Sequence, residues 1–452
     1  MRRARLVVCG GGLAGVAAAC EGAARGAEVT LVERRPFLGG KAFSFRDPGS
    51  GREIDNGQHV FLGCCHAYIG LLRLLGTAGQ ATLQRRLHAP VRDRAGREGV
   101  LAAVPAPAPL HMAPSLAAYP HLGRREKASA ARLLLALGRL GADDLARLDE
   151  QSFASFLRGA GQSEGAIARF WDLIVLPTCN DRSDRVSAAL AAFVFREGFL
   201  RTARGSAIGY ARVGLTRLVD PAARVFLAAR GGRVLDGRAV AEVGAGGVRL
   251  ADGEELAADG VVIALPPTRA GEVAPAALPE GVGLGVSPIV NVHVWYDRPV
   301  MDRPFTAVVD SMAQWVFNRT AMGGSDDPGQ HLAVSISGAR EEVEVPRAEL
   351  AARVRAELAH LFPAAGRARV EATAVVKEPE ATFAAAPGSA GRRPGPRTPL
   401  EGVALAGAWT DTGWPATMEG AVRSGIRAAR VALESPPRDG AARATAGAGR
   451  PA

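Results

Sequence analysis

The chain has 452 residues, 48% of them apolar and 22% charged, with a formal net charge of +10. That length predicts two or three structural units, and the composition excludes a disordered or fibrous chain. Only Lys41, Lys127 and Lys377 among the 55 basic residues are lysines, and no run of five or six like charges occurs; nucleic acid is therefore not an expected partner, and a surface tolerant of anionic lipid or phosphate fits equally well.

Residues 5–10 (RLVVCG) form an apolar, β-branched run that reads as a buried parallel strand. An Ala-rich helix over 13–25 and a second strand over 28–33 (EVTLVE) complete a mononucleotide-binding βαβ unit. The glycines at 10–12 interrupt the apolar start, so no secretory leader is expected. A helix is predicted over 71–87. Residues 99–123 carry no Asp, Glu, Lys or Arg but contain five prolines, which excludes a spanning helix and leaves two readings: an irregular apolar lip, or a buried loop of the substrate domain whose apolar residues pack inward. Helical spacing follows over 124–148 and 153–174, and again over 215–230, where Gly231–Gly232 closes the helix. Strands are expected at 233–243, 247–250 and 260–264, with a turn at 251–253, and at 289–297 and 331–337 in a second sheet. An amphipathic helix spans 349–361, a Pro/Gly-rich connector 384–398, a strand 403–407 and a last helix 419–433; residues 435–452 are expected to be disordered. The cysteines (Cys9, Cys20, Cys64, Cys65, Cys179) lack CxxC or zinc spacing and predict reduced thiols, no metal site and a cytoplasmic location.

Gly10, Gly12 and Gly15 form a dinucleotide fingerprint between the first strand and the helix. Gly10 permits the tight turn, Gly12 lets a pyrophosphate approach the backbone, and Gly15 lets helix and strand pack; Leu13 and Ala14 open the helix whose positive end faces the phosphates. Glu33, at the end of the second strand, is placed to accept from ribose hydroxyls.

Three further motifs carry a family resemblance. Glu33-Arg34-Arg35 leading to Gly39-Gly40-Lys41 resembles the extended fingerprint of the flavin-containing amine oxidase and phytoene desaturase superfamily, although Lys41 stands where arginine is usual. The segment 405–421 (LAGAWTDTGWPATMEGA) resembles that superfamily's closing flavin segment, with Ala408 where many relatives carry an acid. The run 55–66 (DNGQHVFLGCCH), with Trp171, residues 176–180 and Arg393-Pro394, is similar to the hydroxysqualene dehydroxylases. The resemblance implies FAD, held by Gly10, Gly12, Leu13, Ala14, Gly15, Glu33, Arg34, Gly39, Gly40, Lys41, Gly57, Gln58, His59, Gly407, Trp414, Thr417 and Met418. It implies an α/β fold: a Rossmann-like doubly wound FAD domain from 1–90, 204–267 and 395–434, and an α+β substrate domain from 91–203 and 268–394.

The implied reaction removes an allylic hydroxyl from hydroxysqualene, an isoprenoid lipid, using hydride from reduced flavin. It needs an acid. His59 titrates near neutrality and is the first candidate, with Asp55 orienting it or acting itself, although Asp55-Asn56-Gly57 also reads as a plain turn. Asn180, Tyr210 and Trp414 are candidates for the substrate pocket. A carotenoid or phytoene desaturase is the rival reading; an amine oxidase, which needs an aromatic cage, suits a chain with four tyrosines less well. A water-insoluble substrate also predicts peripheral contact with the inner face of the cell membrane.

Overall fold

A computed structural model of the chain describes residues 2–280, 282–324 and 328–434; the predicted disordered tail, 435–452, lies outside the described residues. Five parallel strands form the first sheet in the order Arg233–Leu235, Glu28–Val32, Arg5–Cys9, Gly260–Ile263, Val403–Leu405. Alternation along these strands feeds two cores. Leu6, Val8, Val29 and Leu31 pack with the helices on one face, while Val7, Cys9, Val32 and Ile263 join the larger core on the other. Burial on both faces is why these segments read as continuous apolar runs.

Helix Leu13–Ala24 is built almost wholly of small residues and is buried nearly all round. That allows helix Met418–Ala432 to approach closely: a β-carbon on Gly425 would lie 2.0 Å from the Ala14 carbonyl oxygen. The two helices run parallel, because Gly425 meets Ala14 and Ala18 while Arg430 pairs with Glu21 further along. Their N-termini therefore point the same way.

The stretch expected as one strand over 233–243 divides at Gly237, whose φ of +67° turns the chain. Arg233–Leu235 joins the parallel sheet, and Val240–Gly244 starts a three-stranded meander with Gly247–Leu250 and Glu255–Ala257. The turn at Asp252–Gly253 serves that meander. The helix expected over 71–87 runs instead over His66–Leu74 and stops before Gly76 (φ +73°), after which Ala81–Leu83 is a strand. The helix expected over 124–148 is two, Arg124–Leu137 and Ala142–Leu148.

A seven-stranded sheet has the order Val370–Phe383, Val286–Tyr296, Gln330–Ser337, Trp315–Asn318, Phe305–Val309, His88–Asp93, Glu98–Ala102. Only the pair Phe305–Val309 with His88–Asp93 is parallel. The uncharged stretch 99–123 is thus no lip along most of its length. Its start is the edge strand, and Leu101, Leu116, Tyr119 and Leu122 are buried, because they complete a core around Phe153, Trp171 and Phe195. Leu110 alone among its leucines is open, at 63% exposure.

Candidate functional site

The glycine turn is held from several sides. Gly10 adopts φ +105°, and a β-carbon there would lie 2.6 Å from the Ala264 carbonyl; one on Gly15 would lie 1.7 Å from the Gly10 carbonyl. Glu33 accepts from the Gly11 amide at 2.6 Å and from the Arg35 amide at 2.9 Å, so its carboxylate fixes the turn as well as standing at the strand's end. Gly40 backs onto Gly12, where a β-carbon on it would come within 2.7 Å of the Gly12 Cα. The second glycine pair therefore closes the turn from behind. Arg34 is exposed; Arg35 donates to the Gly40 carbonyl and lies over Phe43. Lys41 donates to the carbonyls of Glu380 and Ala381, which ties it to the edge strand of the second sheet.

The loop 55–59 has a clamped base and a less constrained tip. Asp55 is buried, accepting from the Ser44 hydroxyl (2.7 Å) and the Leu215 amide (3.0 Å) and pairing with Arg319 (3.1 Å). Asn56 is held through its amide by Phe43, through its side chain by Glu378 and through its carbonyl by Asn291. Beyond them the buried Gln58 Nε2 has no protein partner. One point beside Gly57, where a β-carbon would stand, is 3.3 Å from both the Asn291 Nδ2 and the His59 Nε2. Desolvation holds the His59 pKa below 6.5, with the Asp55 charge opposing it.

Gly407 (φ +143°) starts the closing segment, and its amide donates to the Ser424 hydroxyl. Trp409 packs on it and donates to the Leu265 carbonyl. Asp411 accepts from the Gly413 amide in its own turn. Thr417 is the N-cap of the last helix, accepting from the Gly420 amide, and Met418 is its first residue. Trp414 is half-buried, edge-on to Phe193 and beneath Arg423. Glu419 serves another purpose: its buried carboxylate accepts from the Ala67 and Tyr68 amides and so caps helix His66–Leu74.

The Asn180 amide donates to the Ser287 carbonyl and the Thr382 hydroxyl and accepts from the Gly338 amide, so it ties three segments together. Tyr210 is half-buried and edge-on to Phe305.

The family profile "Flavin containing amine oxidoreductase" matches residues 13–433. The chain belongs to that family. It is 30% identical over 456 residues to hydroxysqualene dehydroxylase of Rhodopseudomonas palustris, covering 94% of this chain and 97% of the relative. It is 26% identical to a zeta-carotene desaturase of Zea mays, covering 94% and 82%. An oxidoreductase structure from Methanosarcina mazei superposes with a TM-score of 0.72 at 18% identity, covering 93% and 99%. As a member of the family the chain is an FAD-dependent oxidoreductase.

The residues present fit FAD. A β-carbon on Gly12 would meet no protein atom closer than 3.8 Å, so the protein's own packing does not require glycine there. The adjacent helix start has no side-chain cap and no acid in its first turn, which leaves its amides for a pyrophosphate. Glu33, just past the end of the second strand, would hold the adenosine side. The closing strand lies on the other side of the first strand, and Met418 begins seven residues before the Gly425 contact, about 10 Å at 1.5 Å per residue. Thr417 and Met418 would then hold the flavin end of a dinucleotide that ran from Glu33 past Gly12.

Several buried groups escaped the sequence reading. Asn291 (1% exposed) and His293 (0%) lie on one face of strand Val286–Tyr296, next to the edge strand of the second sheet. The Asn291 Oδ1 has no protein partner, and the His293 Nδ1 lies 3.0 Å from the His331 Nε2. Burial lowers the His293 pKa to about 4, with Asp55 opposing and Arg319 adding to the shift; His331 is lowered too. Two polar residues in phase on a strand otherwise rich in valine were the available signal. The five cysteines are free and buried, and burial pushes Cys9, Cys20 and Cys179 up to about 12, leaving inert thiols.

Proposed function

We propose that the chain converts hydroxysqualene to squalene, a step toward hopanoids, by replacing the allylic hydroxyl with hydride and releasing water. The observation that carries this reading is the similarity to the R. palustris hydroxysqualene dehydroxylase along nearly the full length of both chains. Reduced FAD, when bound, supplies hydride. The protein supplies a proton to the departing oxygen and a cavity that excludes water. Asp55, spent in an ion pair, holds the loop; His59 at the loop's tip is the proton donor, and Trp414 and Tyr210 contribute apolar walls. Because burial lowers the His59 pKa, its protonated fraction grows as pH falls below 6.5.

The second reading, desaturation of a carotenoid, rests on the similarity to the Zea mays enzyme and runs hydride transfer the other way. Product analysis after anaerobic incubation of photoreduced protein with hydroxysqualene, and of oxidised protein with phytoene, separates them. Squalene from the first supports dehydroxylation; a desaturated product from the second, with no squalene from the first, refutes it.

No helix among the described residues is long and apolar enough to cross a membrane. The substrate enters from lipid through a peripheral contact anchored by exposed Leu110, with exposed Arg124 and Arg125 following in the sequence.

A further inference from the structure

Arg393 is 6% exposed, and no carboxylate lies within ion-pairing distance of it among the described residues. Buried cations are ordinarily paired, because an uncompensated charge in a poorly solvated site is costly. Here the guanidinium faces the closing segment. One nitrogen donates to the Ala408 and Thr410 carbonyls and to the Thr412 hydroxyl, and the group stacks over Phe383 at 4.8 Å. Its Nε has no partner. Asp149 and Asp411 are the acids that face it from longer range, and both are committed elsewhere: Asp149 to Ser187 and the Ala390 amide, Asp411 to its own turn. Burial lowers the Arg393 pKa to about 10, which still leaves it charged at neutrality.

This charge sits under the loop that leads into the positive end of helix Met418–Ala432, where the flavin end of the dinucleotide is expected. We infer that the missing counter-charge is the negative charge that the flavin ring gains on reduction, so that Arg393 sets the cofactor's potential. It is a positioning residue for the loop and an electrostatic partner of the reduced ring. The oxidised ring is neutral, so removing the charge weakens reduced flavin selectively. The pyrophosphate is anionic in both states, and a charge serving it instead would change FAD affinity and leave the potential alone.

The test is the two-electron midpoint potential of the flavin-loaded protein, measured by reductive titration against a reference dye, with oxidised FAD affinity measured alongside. Arg393→Gln keeps donors for the loop carbonyls and removes the charge. It should favour oxidised over reduced flavin about tenfold more than the parent does, a fall of about 30 mV for a two-electron couple. Arg393→Lys keeps the charge and should stay close to the parent. An unchanged potential in Arg393→Gln overturns the inference, and so does loss of FAD affinity without a change in potential. If Arg393→Gln fails to fold or to hold flavin, Arg393→Met removes the charge at similar length and is read by the same criterion, and a fall of about 30 mV in Arg393→Lys, which keeps the charge, overturns the inference. No substrate enters the measurement, so its outcome is independent of which isoprenoid the enzyme reduces.

Discussion

Replacing Gly12 with valine separates the two reasons a chain can need glycine. At φ −68° and ψ 175° Gly12 is in extended backbone that valine adopts without strain. Its β-carbon would meet nothing closer than the Gly40 Cα at 3.8 Å. Restricting the unfolded chain contributes about 0.4–1 kcal/mol, and losing glycine at the N-cap costs up to about 1 kcal/mol, so the flavin-free protein should change by less than about 1 kcal/mol. The cofactor fares differently. A side chain at this point keeps a phosphate from the helix's first amides, and each charge-assisted hydrogen bond lost is worth about 1.5–3 kcal/mol. Two such losses weaken FAD by more than about 100-fold. Gly15→Ala is the contrast: its β-carbon would sit 1.7 Å from the Gly10 carbonyl, and the fold should lose about 3 kcal/mol or more. Flavin absorbance, FAD titration and thermal unfolding of the flavin-free proteins measure these effects. A yellow Gly12→Val protein with normal FAD content refutes the placement, as does a flavin-free Gly12→Val that unfolds as readily as Gly15→Ala.

His59→Ala should keep FAD and lose about 10²–10⁴-fold in the single-turnover rate; in the parent that rate should rise as pH falls below 6.5, and a rate indifferent to both changes leaves His59 structural. His293, lowered to about 4, is neutral in the fold while the unfolded chain protonates near 6.5. Its contribution is therefore intact above pH 6.5 and is lost between 6.5 and 4, on the order of 3 kcal/mol. His293→Asn should flatten that limb in denaturant titrations at stepped pH, and an identical slope in parent and variant would contradict the assignment. Leu110→Ser should weaken flotation with anionic liposomes at unchanged FAD content; equal flotation removes this segment from the membrane contact.

The glycine turn, the parallel strands and the last helix were legible because each combines a local rule with a strong pattern: buried strands are continuously apolar, and glycine marks the close approaches at Gly10 and Gly15. Breaks inside helical and strand patterns were not. Gly76 and Gly237 ended their elements where periodicity alone would have continued. Residues 99–123 left two readings open because absence of charge does not distinguish a membrane-facing loop from a buried one; Leu116 and Tyr119 turn inward because a distant aromatic core awaits them. The same limit hid the pairing of Arg319 with Asp55 and the contacts of Arg393, a motif residue whose partners lie 15 to 19 positions away in sequence. Such pairings are set by the tertiary fold and leave little trace in local spacing.

The direction of hydride transfer is the central claim, and anaerobic stopped-flow mixing tests it most directly. Protein carrying fully reduced FAD is mixed with hydroxysqualene, and flavin absorbance is followed while the lipid is extracted. The account predicts reoxidation without oxygen, with one squalene formed per flavin. Flavin that stays reduced with hydroxysqualene, while phytoene reduces the oxidised protein, would contradict it.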